Sequence, residues 1–508
     1  MKRLTSIFCM LLLVILLLTA VACNKEKPDT GNNESQTSPR DEETVEDNPN
    51  ARADLPDGLN FDGATFTICS LVQEAASEEF SASLTGSLID EAVFTRNDNL
   101  EYKFNCYIEV DETVGDTNTN TMYQKVEKLI QDGGADYHVF TTAGYKMTAL
   151  AINGLLADIT EMDAINLGKD YYSQGYNDAL SFGESQYLVT GPMSMAYYRY
   201  MLVCLFNRTL FDQYGIDDPY AAVLDQQWTM EYVATLLEDF YSDLDGDGRD
   251  AEDLYGLYGW VGPYSSQMDG FMSACNLRVL AKDDSNTYKI DINADLFADN
   301  IDRCLRLLYN NGAYVSTDIG SNEAVMGKFA SGEAGMMFYR LYVVETNDMV
   351  VLGKTGLGYG LLPIPKASET QKDYVSYVQD QCFLFGFSRT LINDSDKLQN
   401  MGLFFEAYAS ESYAVVRPAY YETALSSRYL GDPESVKMLD IISSNTFVDP
   451  VNVYFNTAFT FTTGDLREIW GSGENTIGSL IGGRLESGLL QQEVDALNDA
   501  YTKLLGQE

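Results

Sequence analysis

Histidine is nearly absent from this sequence, and basic residues are scarce. Of 508 residues one is histidine, His138, and 33 lysines and arginines stand against 76 aspartates and glutamates, for a formal net charge of −43. A single histidine excludes a zinc site built from several histidines and leaves one candidate base for a serine or cysteine triad. Because His138 also begins or lies within a predicted strand, we expect a structural role for it. The negative charge argues against nucleic acid and anionic lipid surfaces as partners, since both carry the same sign.

The first apolar run is too short for a typical membrane-spanning helix. It extends over 16 residues, from Ile7 to Ala22, after the basic pair Lys2 and Arg3, whereas a span needs about 20 residues. This pattern is typical of a secretory signal peptide. Its end, Thr-Ala-Val-Ala-Cys, resembles the lipobox of bacterial lipoproteins, which implies removal of residues 1–22 and a lipid on Cys23. An ordinary signal peptide, or an anchor with an incidental cysteine, is the alternative.

Large apolar residues are also missing from the segment that follows. Residues 23–57 consist mainly of Pro, Gly, Asn, Ser, Asp and Glu. Such a segment cannot bury enough apolar surface to offset the entropy of ordering, so we expect a disordered acidic tether. Together with the lipid, it predicts a globular part held at the extracellular face of the cell membrane through the lipid anchor only.

No cysteines have the C-x-x-C spacing of a zinc ribbon or a redox motif. Cys106 alternates with Phe104, Ile108 and Val110, which is typical of an inward-facing strand position. We expect buried thiols at most of the cysteines after Cys23, and one disulfide is left open. These cysteines are Cys69, Cys106, Cys204, Cys275, Cys304 and Cys382.

Apolar residues make up 45% of the chain and charged residues 21%, an ordinary balance that suits two large domains. Strand and helix patterns alternate from residue 64 onward, which predicts a mainly parallel sheet covered on both faces. The strands are Ala64–Val72, Phe104–Val110 and Tyr137–Phe140, and the helices are Ser87–Tyr102 and a segment around Tyr123–Ile130.

A further helix is predicted to begin after Thr229, with Phe240 and Tyr241 still on its apolar face. Thr229 is the expected N-cap, and Trp228 before it is expected in the core. Three later strands are predicted at Tyr255–Trp260, Gly358–Leu362 and Cys382–Phe387.

Several segments in a fixed order resemble extracellular solute-binding proteins of the maltodextrin-type family. The resemblance covers about residues 60–470, and the joint order of the segments carries it, because no single one is decisive. The segments are Tyr187–Gly191, Met201–Phe211, Trp228-Thr229, Lys328–Met337, Tyr359–Lys366, Arg417–Tyr421 and Asp432–Asp440.

The resemblance implies an α/β, two-lobed, periplasmic-binding-protein-like fold of type II with an interlobe cleft and three hinge crossings. Lobe one would comprise residues 58–197 and 338–407, and lobe two residues 198–337 and 408–508. The implied function is that of a lipid-anchored component of an ABC importer, which captures a carbohydrate, chiefly an oligosaccharide, and delivers it to the permease subunits. The protein would be a monomer and not an enzyme, and it would need no cofactor.

Sugar sites combine aromatic rings, which stack on C–H faces, with polar groups that bind hydroxyls. Tyr145 follows a predicted strand, at the edge where α/β sheets bind ligands. Gln73 and Glu74 follow the first strand and are candidate hydroxyl partners. The resemblance adds candidates in lobe two and past the second crossing, namely Trp260, Tyr264, Arg340, Tyr342, Tyr454 and Phe455.

An acidic loop from Asp243 to Asp253 resembles an EF-hand calcium loop. Side-chain oxygens at Asp243, Asp245 and Asp247, a glycine at the sixth position and the Arg249 carbonyl at the seventh fit that pattern. The twelfth position is Leu254, so the usual glutamate is missing, and Glu252 or Asp253 would have to replace it. We expect a structural calcium ion, with a solvated acidic turn as the alternative.

Other functions remain open at this point. A secreted glycoside hydrolase is one, since an acid/base pair could be hidden among the many carboxylates. The same fold could bind a polyamine or a peptide, or it could present a ligand to a membrane kinase. No Gly-rich phosphate loop is present, so ATP hydrolysis would belong to a partner protein.

Overall fold

The computed structural model describes residues 48–72, 79–114, 120–134, 136–262, 265–346, 349, 358–430, 433–454 and 466–506. All of them belong to one unit of the chain, Val45–Glu508. In this part no helix is long and apolar enough to cross a membrane. The predicted signal peptide and Cys23 lie outside the described residues.

The first sheet has four strands in the order β12-β3-β1-β2. Strand β1 pairs in parallel with both β2 and β3, and β12 joins the edge of β3 antiparallel. The alternation of strands and helices predicted from residue 64 onward is confirmed, and the first strand has the predicted bounds. The strands are β1 (Ala64–Val72), β2 (Cys106–Val114), β3 (His138–Ala143) and β12 (Phe383–Phe387).

The second sheet has six strands in the order β11-β4-β10-β6-β5, with β9 also pairing with β6. Strand β4 is antiparallel to both β10 and β11, while β6 is parallel to β9 and β10. A separate hairpin joins β7 and β8. The strands are β4 (Leu202–Asn207), β5 (Tyr241–Ser242), β6 (Leu254–Trp260), β7 (Leu280–Lys282), β8 (Tyr288–Ile290), β9 (Ala313–Ser316), β10 (Ala334–Arg340) and β11 (Tyr359–Leu362).

Helices surround both sheets. In chain order they are α1 (Leu88–Phe104), α2 (Thr121–Gln131), α3 (Gly144–Ile152), α4 (Gln174–Leu180), α5 (Met195–Arg199), α6 (Arg208–Tyr214), α7 (Tyr220–Leu224), α8 (Met230–Leu237), α9 (Gly270–Ala274), α10 (Ala294–Leu308), α11 (Asn322–Ala330), α12 (Ser395–Glu411), α13 (Pro433–Ser444), α14 (Pro450–Tyr454), α15 (Leu466–Ser472), α16 (Ile477–Ser487) and α17 (Leu489–Leu505). Short 3-10 turns lie at Pro49–Ala51, Ile159–Glu161, Leu341–Glu345 and Arg389–Asn393, and two π-helical segments at Ser412–Val416 and Pro418–Leu430.

The start of α8 follows the prediction, and its end does not. Thr229 accepts a hydrogen bond from the backbone N–H of Tyr232, and Trp228 is fully buried with its indole N–H donated to the carbonyl of Pro363. The helix ends at Leu237, however, and Tyr241 begins β5. Pairing of Tyr241 with Tyr255 in β6 accounts for the early end, because this residue joins the second sheet instead of extending the helix.

The chain passes between the two sheets next to β4 and β12. The N–H of Leu202 donates to Tyr377 O at 2.9 Å, and the N–H of Gln379 donates to Tyr200 O at 2.9 Å. Strand β11 lies within the range predicted for lobe one, yet it pairs with β4 in the second sheet. The predicted boundary at residue 338 precedes β11, so sheet pairing places the return to the first sheet later in the chain.

The described residues include the end of the predicted tether. Residues Pro49–Ala51 form a 3-10 turn, and Ala51 is buried. The side chain of Lys169 donates to Pro49 O at 3.1 Å and forms an ion pair with Asp54 at 2.8 Å. The expectation of disorder through residue 57 is therefore wrong for this end, because local composition does not report the contacts that dock it.

The six cysteines after Cys23 are all buried and unbonded, as expected for most of them. His138 begins β3, and its Nδ1 lies 2.7 Å from the carbonyl oxygen of Asp136. This contact agrees with the structural role predicted for the histidine.

Candidate functional site

Arg340 is the centre of the candidate site. It is the last residue of β10 and pairs with Leu202 of β4, at the point where the chain passes between the sheets. Its Nη1 donates to the amide oxygens of Gln379 at 3.1 Å and Gln381 at 2.7 Å. These two glutamines precede β12 in the first sheet, so the guanidinium joins groups from both sheets.

Tyrosines surround the other side of this guanidinium. Its Nη2 donates to the hydroxyl groups of Tyr339 at 2.8 Å and Tyr342 at 3.1 Å. The carbon atom of the guanidinium lies 4.9 Å from the ring centre of Tyr342 and 5.8 Å from that of Tyr200. All four hydrogen-bond acceptors are neutral, and among the described residues Nε has no hydrogen-bond partner. The predicted pair Arg340 and Tyr342 is thus brought into direct contact.

Tyr145 belongs to the same neighbourhood. It is the second residue of α3, directly after β3, and it is partly exposed. Burial raises the pKa of Tyr200 to about 12, Arg340 opposes that rise, and Tyr145 adds a smaller increase. Tyr145 is therefore close enough to influence the charge of Tyr200, and it brings a partly exposed ring from the end of β3 in the first sheet to the site.

Two aspartates and a second arginine lie beside this group. Arg467 of α15 forms an ion pair with Asp269, the N-cap of α9, at 3.1 Å. Burial and the charge of Asp269 raise the pKa of Asp380 to about 7, against the lowering effect of Arg467 and Arg340. Asp380 therefore lies within the field of both arginines and has a mixed protonation state near neutral pH.

Trp260 ends β6 and is only 7% exposed. Its indole N–H donates to Thr317 O at 3.2 Å, and its ring packs so closely on Gly262 that a Cβ there would lie 2.3 Å from it. No hydrogen bond or ring contact found for the described residues joins Trp260 to Arg340. Its role in ligand binding stays a prediction.

Tyr454 is placed in a different cluster. Its hydroxyl donates to Leu180 O at 3.1 Å and accepts a hydrogen bond from Tyr501 of the C-terminal helix at 2.6 Å. Its ring packs against Tyr288 of the β7-β8 hairpin, with 5.7 Å between ring centres. Through these contacts Tyr454 packs against α4, α17 and the β7-β8 hairpin. The remaining candidates, Gln73, Glu74, Tyr264 and Phe455, lie outside the described residues.

Several residues of this group are not predicted by the sequence patterns. They are Tyr200, Asp269, Tyr339, Gln379, Asp380, Gln381 and Arg467. One signal was available, because Gln379-Asp380-Gln381 is a polar triplet directly before the apolar run of β12. For Arg467 and Asp269 no local pattern points to the site, since only the tertiary fold brings α15 to the start of α9.

The acidic loop is folded around its aspartates. Carboxylate oxygens of Asp243, Asp245 and Asp253 lie within 4.8 Å of one another. Asp243 accepts hydrogen bonds from the N–H groups of Gly246 and Gly248, whose φ angles are +84° and +113°. Positive φ at both positions explains the two glycines, because a side chain there would be strained.

In this fold Asp253, the eleventh residue of the loop, faces the other aspartates, whereas Leu254, the twelfth, belongs to a strand. Leu254 pairs with Ser242 in the β5-β6 ladder, so its side chain is part of the sheet. Asp253 turns toward Asp243 and is buried. Burial opposes its ionisation, but hydrogen bonds from the backbone N–H groups of Leu244 and Asp250 hold the pKa of Asp253 below its usual value. The oxygen-rich donor set fits calcium.

Asp247 and Arg249 differ from this trio. A hydrogen bond with Asp245 and the charge of that carboxylate raise the pKa of Asp247, which shows that negative charge is crowded in the loop. The guanidinium of Arg249 donates to the carbonyl oxygen of Ala313 at 2.7 Å and stacks over Tyr255 at 5.0 Å. Its side chain therefore fastens the loop to the second sheet, and its carbonyl remains the predicted ligand.

Solved structures of solute-binding proteins are similar to this chain over most of its length. The galacto-N-biose- and lacto-N-biose I-binding protein of an ABC transporter from Bifidobacterium longum, in complex with lacto-N-biose, has a TM-score of 0.53 and 13% identity, covering 87% of this chain and 98% of its own. An extracellular solute-binding protein of family 1 from Alicyclobacillus acidocaldarius has a TM-score of 0.51 and 12% identity, covering 86% and 98%. A sugar transporter from Rhizobium etli, in an open conformation, has a TM-score of 0.51 and 13% identity, covering 85% and 98%.

These similarities confirm the predicted fold class, an α/β, two-lobed, periplasmic-binding-protein-like architecture. No protein-family model matches the sequence, and no curated protein matches it. At such low identity the likeness establishes the fold alone, so function has to be argued from the site.

Proposed function

We propose that this protein is the solute-binding component of an ABC importer and that it captures a carbohydrate between its two lobes. The arrangement around Arg340 carries the proposal. A guanidinium, two glutamine amides and three tyrosines from both sheets converge where the chain passes between the lobes. Such a set matches sugar chemistry, because the glutamine N–H groups and tyrosine hydroxyls that the guanidinium orients can bind sugar hydroxyls, while rings stack on C–H faces.

The fold supports the same function. The Bifidobacterium longum protein is described as binding lacto-N-biose for an ABC transporter, and the Rhizobium etli protein as a sugar transporter. An oligosaccharide is the proposed ligand class, and delivery to permease subunits is the proposed next step. Ligand would favour the closed arrangement, because only there do both lobes contact it.

A thermal-shift screen tests this proposal. The chain beginning at Asn48 is heated with mono- and oligosaccharides, polyamines and short peptides. Tight binding to the folded state raises the melting temperature by mass action. A shift with an oligosaccharide supports the proposal, whereas a shift only with polyamines or peptides assigns another ligand to the same fold.

The variant Tyr145→Ala locates the site within that screen. Tyr145 is partly exposed, so its removal should leave the unliganded melting temperature nearly unchanged while reducing the sugar-induced shift. The matched control is Tyr102→Ala, which changes a tyrosine of α1 that is 91% exposed and lies outside the site. Trp260→Ala is less suitable, because loss of a buried tryptophan costs about 3–5 kcal/mol of stability by itself.

A glycoside hydrolase remains a second candidate, and one observation favours it. Asp380 has a raised pKa of about 7 beside Asp269, and a general acid next to a second carboxylate is what glycoside hydrolysis requires. Incubation with a panel of oligosaccharides, followed by chromatography, separates the two functions. If the sugars are cleaved and Asp380→Asn abolishes that cleavage, the protein is a hydrolase and the binding-only proposal is wrong. Recovery of intact sugars supports binding without hydrolysis.

We also propose that Cys23 carries a lipid that holds the protein at the extracellular face of the membrane. The support is the signal-peptide pattern and the small residues before the cysteine. In a bacterial host that makes lipoproteins, the wild-type chain should fractionate with membranes, and Cys23→Ser should release it. Membrane association of Cys23→Ser would contradict the lipid anchor.

A structural calcium ion in the acidic loop is a third proposal. Asp243, Asp245 and Asp253 would supply carboxylate oxygens and Arg249 its carbonyl, and the charge of the ion would offset the crowding that raises the pKa of Asp247. Calcium would fasten the turn between β5 and β6 and take no part in ligand binding.

A further inference from the structure

The buried thiols of Cys275 and Cys304 are in direct contact. Their sulfur atoms lie 3.5 Å apart, and both residues are fully buried. Within the part of the chain that the structure describes, no other two cysteines have their sulfur atoms in hydrogen-bond contact. We propose that Cys275 and Cys304 are a disulfide site, which closes when the chain folds in the presence of a small-molecule or protein disulfide oxidant.

The surrounding structure holds the two cysteines next to each other. Cys304 and Asn300 are four residues apart in α10 and so lie on one face of that helix. The amide of Asn300 donates to the carbonyl oxygen of Cys275 at 3.0 Å, while Cys304 contacts the sulfur atom of the same residue. Two side chains of one helix face therefore hold Cys275 next to Cys304.

Closure of the bond requires a small movement on one side only. A disulfide has an S–S distance of about 2.05 Å, so the sulfur atoms have to approach by about 1.5 Å. Cys304 lies inside a helix of 15 residues, whereas Cys275 follows the short helix α9 and precedes Asn276, whose φ is +53°. The turn after α9 is thus the side that can adjust.

The reaction is a thiol–disulfide exchange with defined balance. The thiolate of one cysteine attacks the disulfide of the oxidant, forming a mixed disulfide and releasing one thiol. The second cysteine then attacks the mixed disulfide and releases the second thiol. Two S–H bonds are lost in the protein, one S–S bond forms, and the oxidant gains two electrons and two protons as two thiols.

Complete burial determines when the bond can form. Desolvation raises the pKa of Cys304 well above its ordinary value, so the reactive thiolate is scarce in the folded state, and an oxidant has no path to it. Oxidation is therefore expected during folding, before α9 and α10 enclose the pair, and the bond is afterwards protected from reductants.

Peptide mapping after refolding tests the site. The full chain is unfolded and reduced, refolded in mild detergent with oxidised and reduced glutathione, blocked with an alkylating reagent and digested with trypsin without reduction. Cleavage after Arg249, Arg278, Arg303 and Arg306 places the two cysteines in separate peptides, residues 250–278 and 304–306. We expect one linked species of these two peptides, two hydrogens lighter than their sum.

Two variants make the assignment specific. Cys304→Ser should abolish the linked species without linking residues 250–278 to any other cysteine peptide, and Cys204→Ala, at another buried cysteine, should leave it unchanged. Mapping of the wild-type chain does not depend on either variant. Recovery of both peptides unlinked, or of residues 250–278 joined to a different cysteine, would overturn the proposal.

Discussion

The candidate site consists of side chains that are distant in the sequence and meet around Arg340 and Tyr200. Arg340 ends one apolar strand, Tyr342 lies two residues beyond it, and Tyr145 follows another strand. The structure brings these three residues to one neighbourhood around Tyr200. Gln379 and Arg467 were not found, because their partners are distant in sequence and no periodicity marks them. Tyr454 was selected for its aromatic ring, yet its hydroxyl binds Leu180 and Tyr501 in a packing cluster.

Ionisation of Asp380 should make the folded protein less stable as pH rises from about 4 to 7. Its pKa is about 7 in the folded protein against an ordinary value of 3.8, so the folded state holds the proton more tightly. The contribution of Asp380 to stability is greatest below about pH 4 and is lost as pH rises toward 7. Urea unfolding should show that Asp380→Asn flattens this part of the stability profile.

The control for this prediction is Asp499→Asn, which changes an exposed aspartate of the C-terminal helix. It should keep the wild-type profile between pH 4 and 7. An unchanged profile in Asp380→Asn would show that the carboxyl ionises as it does in the unfolded chain.

At the scale of elements, the local patterns predicted the alternation of strands and helices well. Strand β1 has the predicted bounds, because its period and β-branched content agree with its place in the middle of a parallel sheet. Sequence could not assign β11 to the second sheet, since an apolar run does not specify which edge it joins. The π-helical segment at Pro418–Leu430 was also not predicted.

A buried ion pair joins elements at the crossing between the lobes. The Arg199 guanidinium donates to both carboxylate oxygens of Glu345, at 3.0 and 2.9 Å, and Tyr420 donates to the same carboxylate at 2.6 Å. Glu345→Gln should lower the free energy of unfolding by about 3–5 kcal/mol, because the buried guanidinium of Arg199 loses the carboxylate that forms its ion pair. Urea unfolding measures this loss.

A double-mutant cycle provides the control. Arg199→Met combined with Glu345→Gln should lower the free energy of unfolding by less than the sum of the two single changes. In the double variant the guanidinium and the carboxylate of the pair are both absent, so neither group is left without the other. The exposed pair of Arg306 and Asp302 serves for comparison, and Asp302→Asn should cost less than about 1 kcal/mol. Strict additivity at Arg199 and Glu345 would show that the pair makes no coupled contribution.

The docked N-terminal segment is a second element-scale feature. A chain that begins at residue 58 loses the buried Ala51 and the contacts of Lys169 with Pro49 and Asp54. Lys169 is itself buried, so the loss should destabilise the protein by about 1–3 kcal/mol relative to a chain that begins at Asn48. Equal urea midpoints for the two chains would contradict this docking.

Calcium should act on the acidic loop and its strands. Added calcium is expected to raise the melting temperature, and Asp245→Asn should remove most of that rise, because one carboxylate of the trio is neutralised. Asp299→Asn, an exposed aspartate on α10, is the control. A rise that persists in Asp245→Asn, or no rise in the wild-type chain, would remove calcium from the loop.

The whole molecule is the scale at which prediction was most complete. Composition and the order of segments predicted two α/β lobes, and similarity to solved solute-binding proteins confirms that architecture. The ligand is not determined at this scale, because the same fold serves many solutes and only the contacting side chains select among them. The proposal of a carbohydrate therefore depends on the group around Arg340.

A crystal structure of the chain with the oligosaccharide that gives the largest thermal shift tests that proposal most directly. We expect an intact sugar between the lobes, with its hydroxyls bound by the glutamine amides and tyrosine hydroxyls around Arg340 and a ring face against Tyr145. A sugar bound elsewhere, or a cleaved product at Asp380, would contradict capture without chemistry at this site.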